Sequence, residues 1–149
     1  MQVKEIMTPA PVCCTRETGV ADVARMMRDL NCGALPVIEN DAASAEVVGM
    51  ITDRDIVVRA LADGADPTLL TAGDCMTMVV MTVNPETRME ECARLMEEHQ
   101  VRRLPVVDAK GDCCGIVSQA DLARTAPLKR LGEVVREVSK PDDPLDSAI

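Results

Sequence analysis

The sequence predicts a mixed α/β (α+β) protein built from two tandem βαββα units. Two observations carry this prediction. Short motifs in the first half of the chain recur in the second half, and each half contains a helical pattern of apolar residues followed by two short extended runs. A chain of 149 residues is long enough to bury the core that two such units need.

The internal repeat aligns the two units. Three motifs recur 69 positions later: Met7-Thr8, Glu17-Thr18 and Leu35-Pro36-Val37 return as Met76-Thr77, Glu86-Thr87 and Leu104-Pro105-Val106. Further on, Gly49 aligns with Gly115 at an offset of 66. The first unit therefore has three extra residues, which fall in the polar stretch 40–46 and indicate a longer hairpin loop there.

Each unit is predicted to begin its packed region with an amphipathic helix. Apolar residues repeat at three- and four-residue spacing, as Val20, Val23, Met26, Met27 and Leu30 in one unit and as Met89, Cys92, Leu95, Met96 and His99 in the other. Thr18 and Thr87 stand where they can cap these helices. Because His99, the only histidine, continues the apolar series, we expect it to pack in the core or in an interface.

Two hairpin strands and a second helix follow in each unit. The extended runs are 34–38 and 47–51 in the first unit and 104–107 and 114–117 in the second. Thr52 and Ser118 come directly after the second run, and both are residue types that begin helices. We therefore expect each of them to cap the second helix of its unit.

These elements give a predicted domain organisation. The first repeat is expected over residues 1–62, a linker with the lead-in strand of the second repeat over 63–75, and the second repeat over 76–125. Apolar spacing from Leu128 onward predicts an amphipathic C-terminal helix, which is followed by a flexible tail, over residues 126–149.

Composition excludes several classes of function. The chain has a formal net charge of −9 and contains no Phe, Tyr or Trp, so it lacks both clustered cations for a phosphate backbone and aromatic platforms for base stacking. We therefore expect no nucleic-acid partner. The N-terminal residues lack the apolar run of a signal peptide and no stretch reaches the length of a membrane span, so we expect a cytoplasmic protein without membrane association.

Seven cysteines take part of the volume that aromatic residues would otherwise fill. They stand at positions 13, 14, 32, 75, 92, 113 and 114. Without a C-x-x-C pair a metal site has little support, and we predict none. Reduced cysteines acting as small apolar side chains are the favoured interpretation, while a disulfide between Cys13 or Cys14 and a distant cysteine stays open.

The junction between the second strand and the second helix is the candidate site in each unit. A hydroxyl at the start of a helix can help to hold a phosphate, and a carboxylate one turn later can accept hydrogen bonds from a ribose. Thr52 and Asp55 have this spacing, as do Ser118 and Asp121. The alternative interpretation is that both pairs only cap their helices.

The ordered motifs resemble those of the CBS domain pair, also called the Bateman module. The resemblance rests on Met-Thr, a helix, Leu-Pro-Val and Gly-hydrophobe-hydrophobe-Thr/Ser-x-x-Asp, each occurring twice, and it covers residues 3 to about 125. Segments 52–57 and 96–103 are similar to those of stand-alone bacterial two-CBS proteins of the hypoxic response protein type. The resemblance implies two repeats packed about a pseudo-twofold axis, with two clefts for adenosine nucleotides such as AMP, ADP, ATP or S-adenosylmethionine.

The resemblance also implies which residues face each cleft. The first cleft would be formed by Thr52, Asp55, Arg54, Thr71, Met76 and Arg102, and the second by Ser118, Asp121, Arg103, Gly33 and Met7. Only the second repeat has two arginines ahead of its Leu-Pro. We therefore expect the clefts to differ in anion affinity, with the cleft of Ser118 and Arg103 the better candidate for an adenosine phosphate.

The function that the resemblance implies is a non-catalytic sensor of an adenosine nucleotide. Such a sensor needs no cofactor, commonly forms a homodimer, and acts here through a separate protein partner that the sequence does not name. An enzyme is the rival class, but the chain contains no GxSxG, P-loop or H-E-x-x-H motif, and we predict no catalytic residue. A third interpretation is a structural or protein-interaction dimer with no physiological nucleotide.

Overall fold

The computed structural model describes residues 1–39, 44–78, 81–125 and 127–141. Part of the predicted hairpin loop and most of the predicted tail lie outside these residues. Within the described ranges, two small sheets are each packed against helices. No helix in this part of the chain is long and apolar enough to cross a membrane.

The helices and strands follow the predicted order in both repeats. Residues 1–61 form a 3-10 turn (Val3–Glu5), strands β1 (Thr8–Pro9) and β2 (Cys14–Thr15), helix α1 (Val20–Leu30), strands β3 (Ala34–Ile38) and β4 (Val47–Thr52), and helix α2 (Asp53–Ile56), which continues as a wider π-helical turn over Val57–Leu61. Residues 72–138 form helix α3 (Ala72–Cys75), strand β5 (Thr77–Met78), helix α4 (Met89–His99), strands β6 (Arg103–Val107) and β7 (Cys113–Ser118), and helices α5 (Gln119–Thr125) and α6 (Leu128–Val138).

Thr18 and Thr87 do not cap α1 and α4, contrary to the sequence prediction. The N-cap is the next residue in each repeat, and neither helix has a side-chain cap. Thr18 Oγ1 instead accepts a hydrogen bond from the Thr15 N–H at 3.0 Å, and Thr87 Oγ1 accepts one from the Asn84 N–H at 3.1 Å. Each hydroxyl therefore closes the turn before its helix.

The lead-in strand of the second repeat is not within residues 63–75, where it was expected. The end of that range is helix α3, and strand β5 begins only at Thr77. The Thr71 N–H donates to Asp74 Oδ2 at 2.9 Å in a capping box that begins the short helix. A local hydrogen bond thus favours a helical turn over an extended chain.

Each sheet is completed by a strand from the other repeat. One sheet has the order β2-β3-β4-β5, and β5 pairs antiparallel with β4 so that Thr77 lies opposite Met50. The other has the order β1-β7-β6, and β1 pairs antiparallel with β7 so that Thr8 lies opposite Ile116. The two repeats therefore exchange their lead-in strands.

The hydrophobic cores follow the same exchange. The core beside the first sheet contains Ile51 together with Ala72 and Cys75 from the lead-in of the second repeat. The core beside the second sheet contains Leu104 together with Val3 from the lead-in of the first. Both cores are built from aliphatic, Met and Cys side chains, and Met adapts its shape to the irregular gaps that aromatic residues would otherwise fill.

Helix α6 belongs to the second core. Val134 and Val138 are buried there, as the apolar spacing predicts, and Arg130 Nη1 lies 2.9 Å from Glu97 Oε1 on α4. After α6 ends at Val138, the chain runs along a cleft between the two repeats. Lys140 is one of the residues that line this cleft.

Candidate functional site

Both strand-to-helix junctions carry the hydroxyl and the carboxylate that the sequence predicts. After β4, the Asp55 N–H donates to Thr52 Oγ1 at 3.1 Å and the Thr52 N–H donates to Asp55 Oδ2 at 3.0 Å. After β7, the Asp121 N–H donates to Ser118 Oγ at 3.3 Å and the Ser118 N–H donates to Asp121 Oδ2 at 2.8 Å. Each pair therefore forms a capping box that begins the following helix.

Asp121 is the more enclosed of the two carboxylates. Its side chain is 8% exposed, against 14% for Asp55. The Ser118 hydroxyl donates to Asp121 Oδ2 at 2.7 Å, and Arg124 pairs with Oδ1. Asp55 Oδ1 accepts a long hydrogen bond from Thr77 Oγ1, at 3.4 Å, and lies 3.9 Å from Arg59 Nε. Because both contacts are long, Asp55 keeps more capacity to accept hydrogen bonds from a ligand.

The first cleft lies between the two repeats beside Asp55. Its volume is about 750 Å³. Thr52, Arg54 and Asp55 from the first repeat and Arg102 from the second line it. These four residues were assigned to the cleft from the sequence, and the fold brings them together.

Thr71 and Met76 do not line the first cleft, contrary to the sequence assignment. Thr71 is engaged in the capping box of α3. Met76 is buried against β4, where a Cβ on Gly49 would lie 2.6 Å from Met76 Sδ. Met76 therefore packs in the first core, and the next residue, Thr77, lines the cleft instead.

The second cleft lies on the Asp121 side and has a volume of about 520 Å³. The assigned residues that line it are Ser118, Asp121, Arg103 and Gly33. Met7 does not line it, because Met7 packs over Gly115, where a Cβ would lie 2.5 Å from Met7 Sδ. As in the first cleft, the threonine after the methionine, Thr8, takes the lining position.

The two clefts differ in charge in the direction opposite to the sequence expectation. The charged residues of the first cleft are the cations Arg54, Arg102, Arg103 and Lys140 and the carboxylates Asp53 and Asp55. Those of the second cleft are Arg103 and Asp121. In a chain with a net charge of −9, the first cleft is therefore a local positive region that attracts anions.

Besides Thr77 and Thr8, three further residues occupy cleft positions that the sequence did not indicate. Arg103, assigned to the second cleft alone, lines both. Lys140 reaches the first cleft from the end of α6, and nothing in its local sequence marks it. His99 is exposed at the first cleft rather than packed in a core, because it is the last residue of α4 and emerges where that helix ends.

The described residues hold no group of three or more His, Cys, Asp or Glu side chains that could bind a metal ion. All seven cysteines are free. Burial raises the pKa of Cys14 to about 11 and that of Cys92 to about 12. These two thiols therefore stay protonated at neutral pH and behave as small apolar side chains.

Comparison with known proteins agrees with this architecture. A family model described as the CBS domain matches residues 3–61 and 72–127. Hypoxic response protein 1 of Mycobacterium tuberculosis is 36% identical over 138 residues, which cover 93% of this chain and 94% of the relative. A crystal structure of Hypoxic Response Protein I with two coordinated zinc ions has a TM-score of 0.75 at 37% identity, covering 85% of this chain and 100% of that chain.

Two further similar structures contain adenosine compounds. CBSX2 in complex with AMP has a TM-score of 0.70 at 30% identity, covering 84% of this chain and 95% of that chain. The CBS domain pair of protein MJ0100, in complex with 5-methylthioadenosine and S-adenosyl-L-methionine, has a TM-score of 0.72 at 27% identity, covering 83% and 94%. With both repeats matched, this chain belongs to the CBS domain family and carries two CBS domains in tandem.

Proposed function

We propose that this protein is a non-catalytic regulatory module that binds an adenosine nucleotide in the clefts between its two CBS domains. The observation that carries the proposal is the hydroxyl and carboxylate pair held at equivalent positions of both repeats, each pair lining a cleft. The complexes of CBSX2 with AMP and of MJ0100 with S-adenosylmethionine support it. The free cysteines favour a reducing, cytoplasmic location.

The first cleft is the stronger candidate for a nucleotide with several phosphates. Arginine guanidinium groups bind phosphate oxygens in bidentate fashion, and a lysine adds a point charge. Arg54, Arg102, Arg103 and Lys140 supply these groups, and Asp55 can accept hydrogen bonds from ribose hydroxyls. On the basis of these cationic lining residues, we therefore favour the first cleft for an adenosine phosphate, whereas the sequence favoured the second cleft.

The second cleft suits an adenosine ligand with less negative charge. Arg103 is its one cationic wall residue among the described part of the chain, and Asp121 opposes it. Both Asp121 oxygens already have partners within the repeat. We infer that AMP or S-adenosylmethionine fits this cleft better than ATP does.

Isothermal titration of the full chain with AMP, ADP, ATP and S-adenosylmethionine tests the proposal. We expect binding heat, together with a melting temperature that rises with ligand concentration, because a ligand that binds only the folded state stabilises that state. Folded protein that gives no heat with any of the four at millimolar concentration would contradict the proposal. A structural or protein-interaction dimer would then be the better description.

Arg102→Ala should weaken the binding of ADP and ATP without changing the binding of adenosine. A hydrogen bond to a charged group contributes about 1.5–3 kcal/mol, which corresponds to a roughly 10- to 150-fold change in Kd. Arg25→Ala is the matched control, since Arg25 lies on α1, pairs with Asp22 at 2.7 Å and is outside both clefts. The same loss of affinity in both variants, or for adenosine, would argue against a phosphate contact.

We further propose that the protein is a homodimer that associates through α2 and its π-helical continuation. Val57, Val58 and Leu61 are 53%, 46% and 58% exposed, and contiguous exposed apolar side chains mark association surfaces. Asp55 of the first cleft lies on the same helix. A ligand in that cleft therefore contacts the element that would carry a signal to the second copy or to a separate protein partner.

Leu61→Asp should convert the dimer into a monomer, because association would bury a carboxylate in an apolar contact. Light scattering measures the mass, which we expect to be twice 16.0 kDa for the unmodified chain and 16.0 kDa for the variant. Leu128→Asp, at a side chain 86% exposed on α6, is the control and should remain dimeric. The proposal would be wrong if the unmodified protein were a monomer, or if only Leu128→Asp dissociated the dimer.

A further inference from the structure

One arginine is shared by the two clefts. Arg103 lines both of them, and no other residue in the described part of the chain does so. It is the first residue of β6, where it lies opposite Ser118 on β7. Ser118 forms the capping box that lines the second cleft. Arg103 therefore stands at the boundary between the first cleft and the strand-to-helix junction of the second.

The guanidinium of Arg103 has no carboxylate partner within the described ranges. The residue is exposed, and none of the ion pairs among the described residues involves it. Lys140 of the first cleft, by contrast, is paired with Glu137. Because an arginine fork binds phosphate oxygens in bidentate fashion, an unpaired Arg103 is available to a phosphate in either cleft.

The first repeat has no counterpart to this shared cation. Ala34 stands 69 positions before Arg103 and lies opposite Thr52 on β4, just as Arg103 lies opposite Ser118. Ala34 lines the second cleft, where its methyl group offers nothing to an anion. Among the described residues, Arg103 is thus the single cation of the second cleft, whereas the first cleft has three others. A phosphate in the second cleft therefore depends on Arg103, but a phosphate in the first does not.

We propose that Arg103 serves a phosphate in one cleft at a time and so decides which pairs of ligands the protein holds, an inference that rests on the nucleotide binding proposed above. A nucleotide with several phosphates in the first cleft draws Arg103 to its phosphate chain. The second cleft then loses its cation and binds a phosphate-bearing ligand less tightly. The protein therefore combines a polyphosphate nucleotide in the first cleft with a phosphate-free adenosine compound in the second.

Two equivalent threonines report on the clefts separately. Thr77 lines the first cleft and Thr8 lines the second, so the NMR signals of their amides follow the occupancy of each cleft in the full chain. ATP is added until the Thr77 shift is complete while Thr8 has moved little. AMP, and in a parallel experiment adenosine, is then titrated against the Thr8 signal with and without this ATP.

ATP in the first cleft should raise the Kd of AMP at Thr8 by about 5- to 150-fold, the usual range for coupling between two sites. The Kd of adenosine at Thr8 should stay unchanged, because adenosine has no phosphate for Arg103 to bind. Adenosine is also the control for direct competition, since ATP that simply entered the second cleft would weaken both ligands by the same factor. That result would overturn the inference.

Two neighbouring variants assign the coupling to one side chain. In Arg103→Ala, AMP and adenosine should bind the second cleft with similar Kd, and ATP should no longer affect AMP. Arg102→Ala is the matched control: Arg102 lines the first cleft but not the second, so the coupling should persist once enough ATP is added to complete the Thr77 shift. Circular dichroism checks that both variants fold.

The possible failures are distinct. Coupling that survives in Arg103→Ala, or an AMP affinity that ATP does not change in the unmodified protein, would overturn the inference and leave nucleotide binding in both clefts intact. If none of the three ligands shifted either threonine signal at millimolar concentration, the inference and the proposed function would both be wrong.

Discussion

Val3→Ala should destabilise the second repeat, although Val3 belongs to the first repeat by sequence. Its side chain is fully buried in the core that also contains Leu104 and Val117. Burying a valine side chain contributes about 1.5–3 kcal/mol, and the free energy of unfolding should fall by about that amount. Urea denaturation measures the loss, and hydrogen exchange locates it, with β6 and β7 losing protection before β3 and β4.

Val135→Ala is the matched control for this prediction. Val135 is 41% exposed on α6, away from the proposed dimer surface, and surface substitutions usually change stability by less than about 0.5 kcal/mol. If Val3→Ala accelerated exchange in the first sheet while the second sheet stayed protected, the assignment of Val3 to the second core would be wrong.

The exchange of lead-in segments makes the two repeats depend on each other. The first core lacks Ala72 and Cys75 without the second repeat, and the second core lacks Val3 without the first. Arg59 of the first repeat also forms a hydrogen bond to the second, since its Nη1 donates to Met76 O at 2.7 Å. A ligand that moves one repeat relative to the other therefore also acts on strands β1 and β5, which cross between them.

Periodicity was sufficient to predict the helices and hairpins but not the strand exchange. Helices α1 and α4 span several turns, so their apolar spacing is a strong signal. Strands β1 and β5 have only two residues each, too few to show alternation. Because both begin at the threonine of the same Met-Thr motif, each is also compatible with either sheet, and only three-dimensional packing decides between the sheets.

Some features of the candidate site could likewise be predicted from local sequence, and others could not. The pairing of Thr52 with Asp55 could be predicted because capping is a contact between residues three positions apart. Lys140 comes from a distant helix, and the exposure of His99 depends on where α4 ends against the other repeat. The positions of both residues follow from tertiary packing, which a local sequence pattern does not report. The methionine of each lead-in was misplaced for the same reason, since its partner is a glycine in the other repeat.

Gly49→Ala should lower the free energy of unfolding by about 1–3 kcal/mol, the range for overpacking a well-packed site. A Cβ at Gly49 would lie 2.6 Å from Met76 Sδ and 2.8 Å from Thr77 O. The methionine side chain can turn away, but the carbonyl cannot, because β5 is paired with β4. The midpoint of urea denaturation should therefore fall with an unchanged dependence of stability on urea concentration.

Two other glycines test whether the backbone of β5 is the cause. A Cβ at Gly115 would lie 2.5 Å from Met7 Sδ but 3.3 Å from Thr8 O, so a turn of the methionine relieves most of the clash and Gly115→Ala should cost less. Gly132, within α6, would place a Cβ with no contact under 4 Å among the described residues, and Gly132→Ala should stabilise by up to about 1 kcal/mol. Equal losses at Gly49 and Gly115 would mean that methionine packing sets the requirement. A larger loss at Gly49 would tie stability to the same close approach that brings Thr77 beside Asp55 in the first cleft.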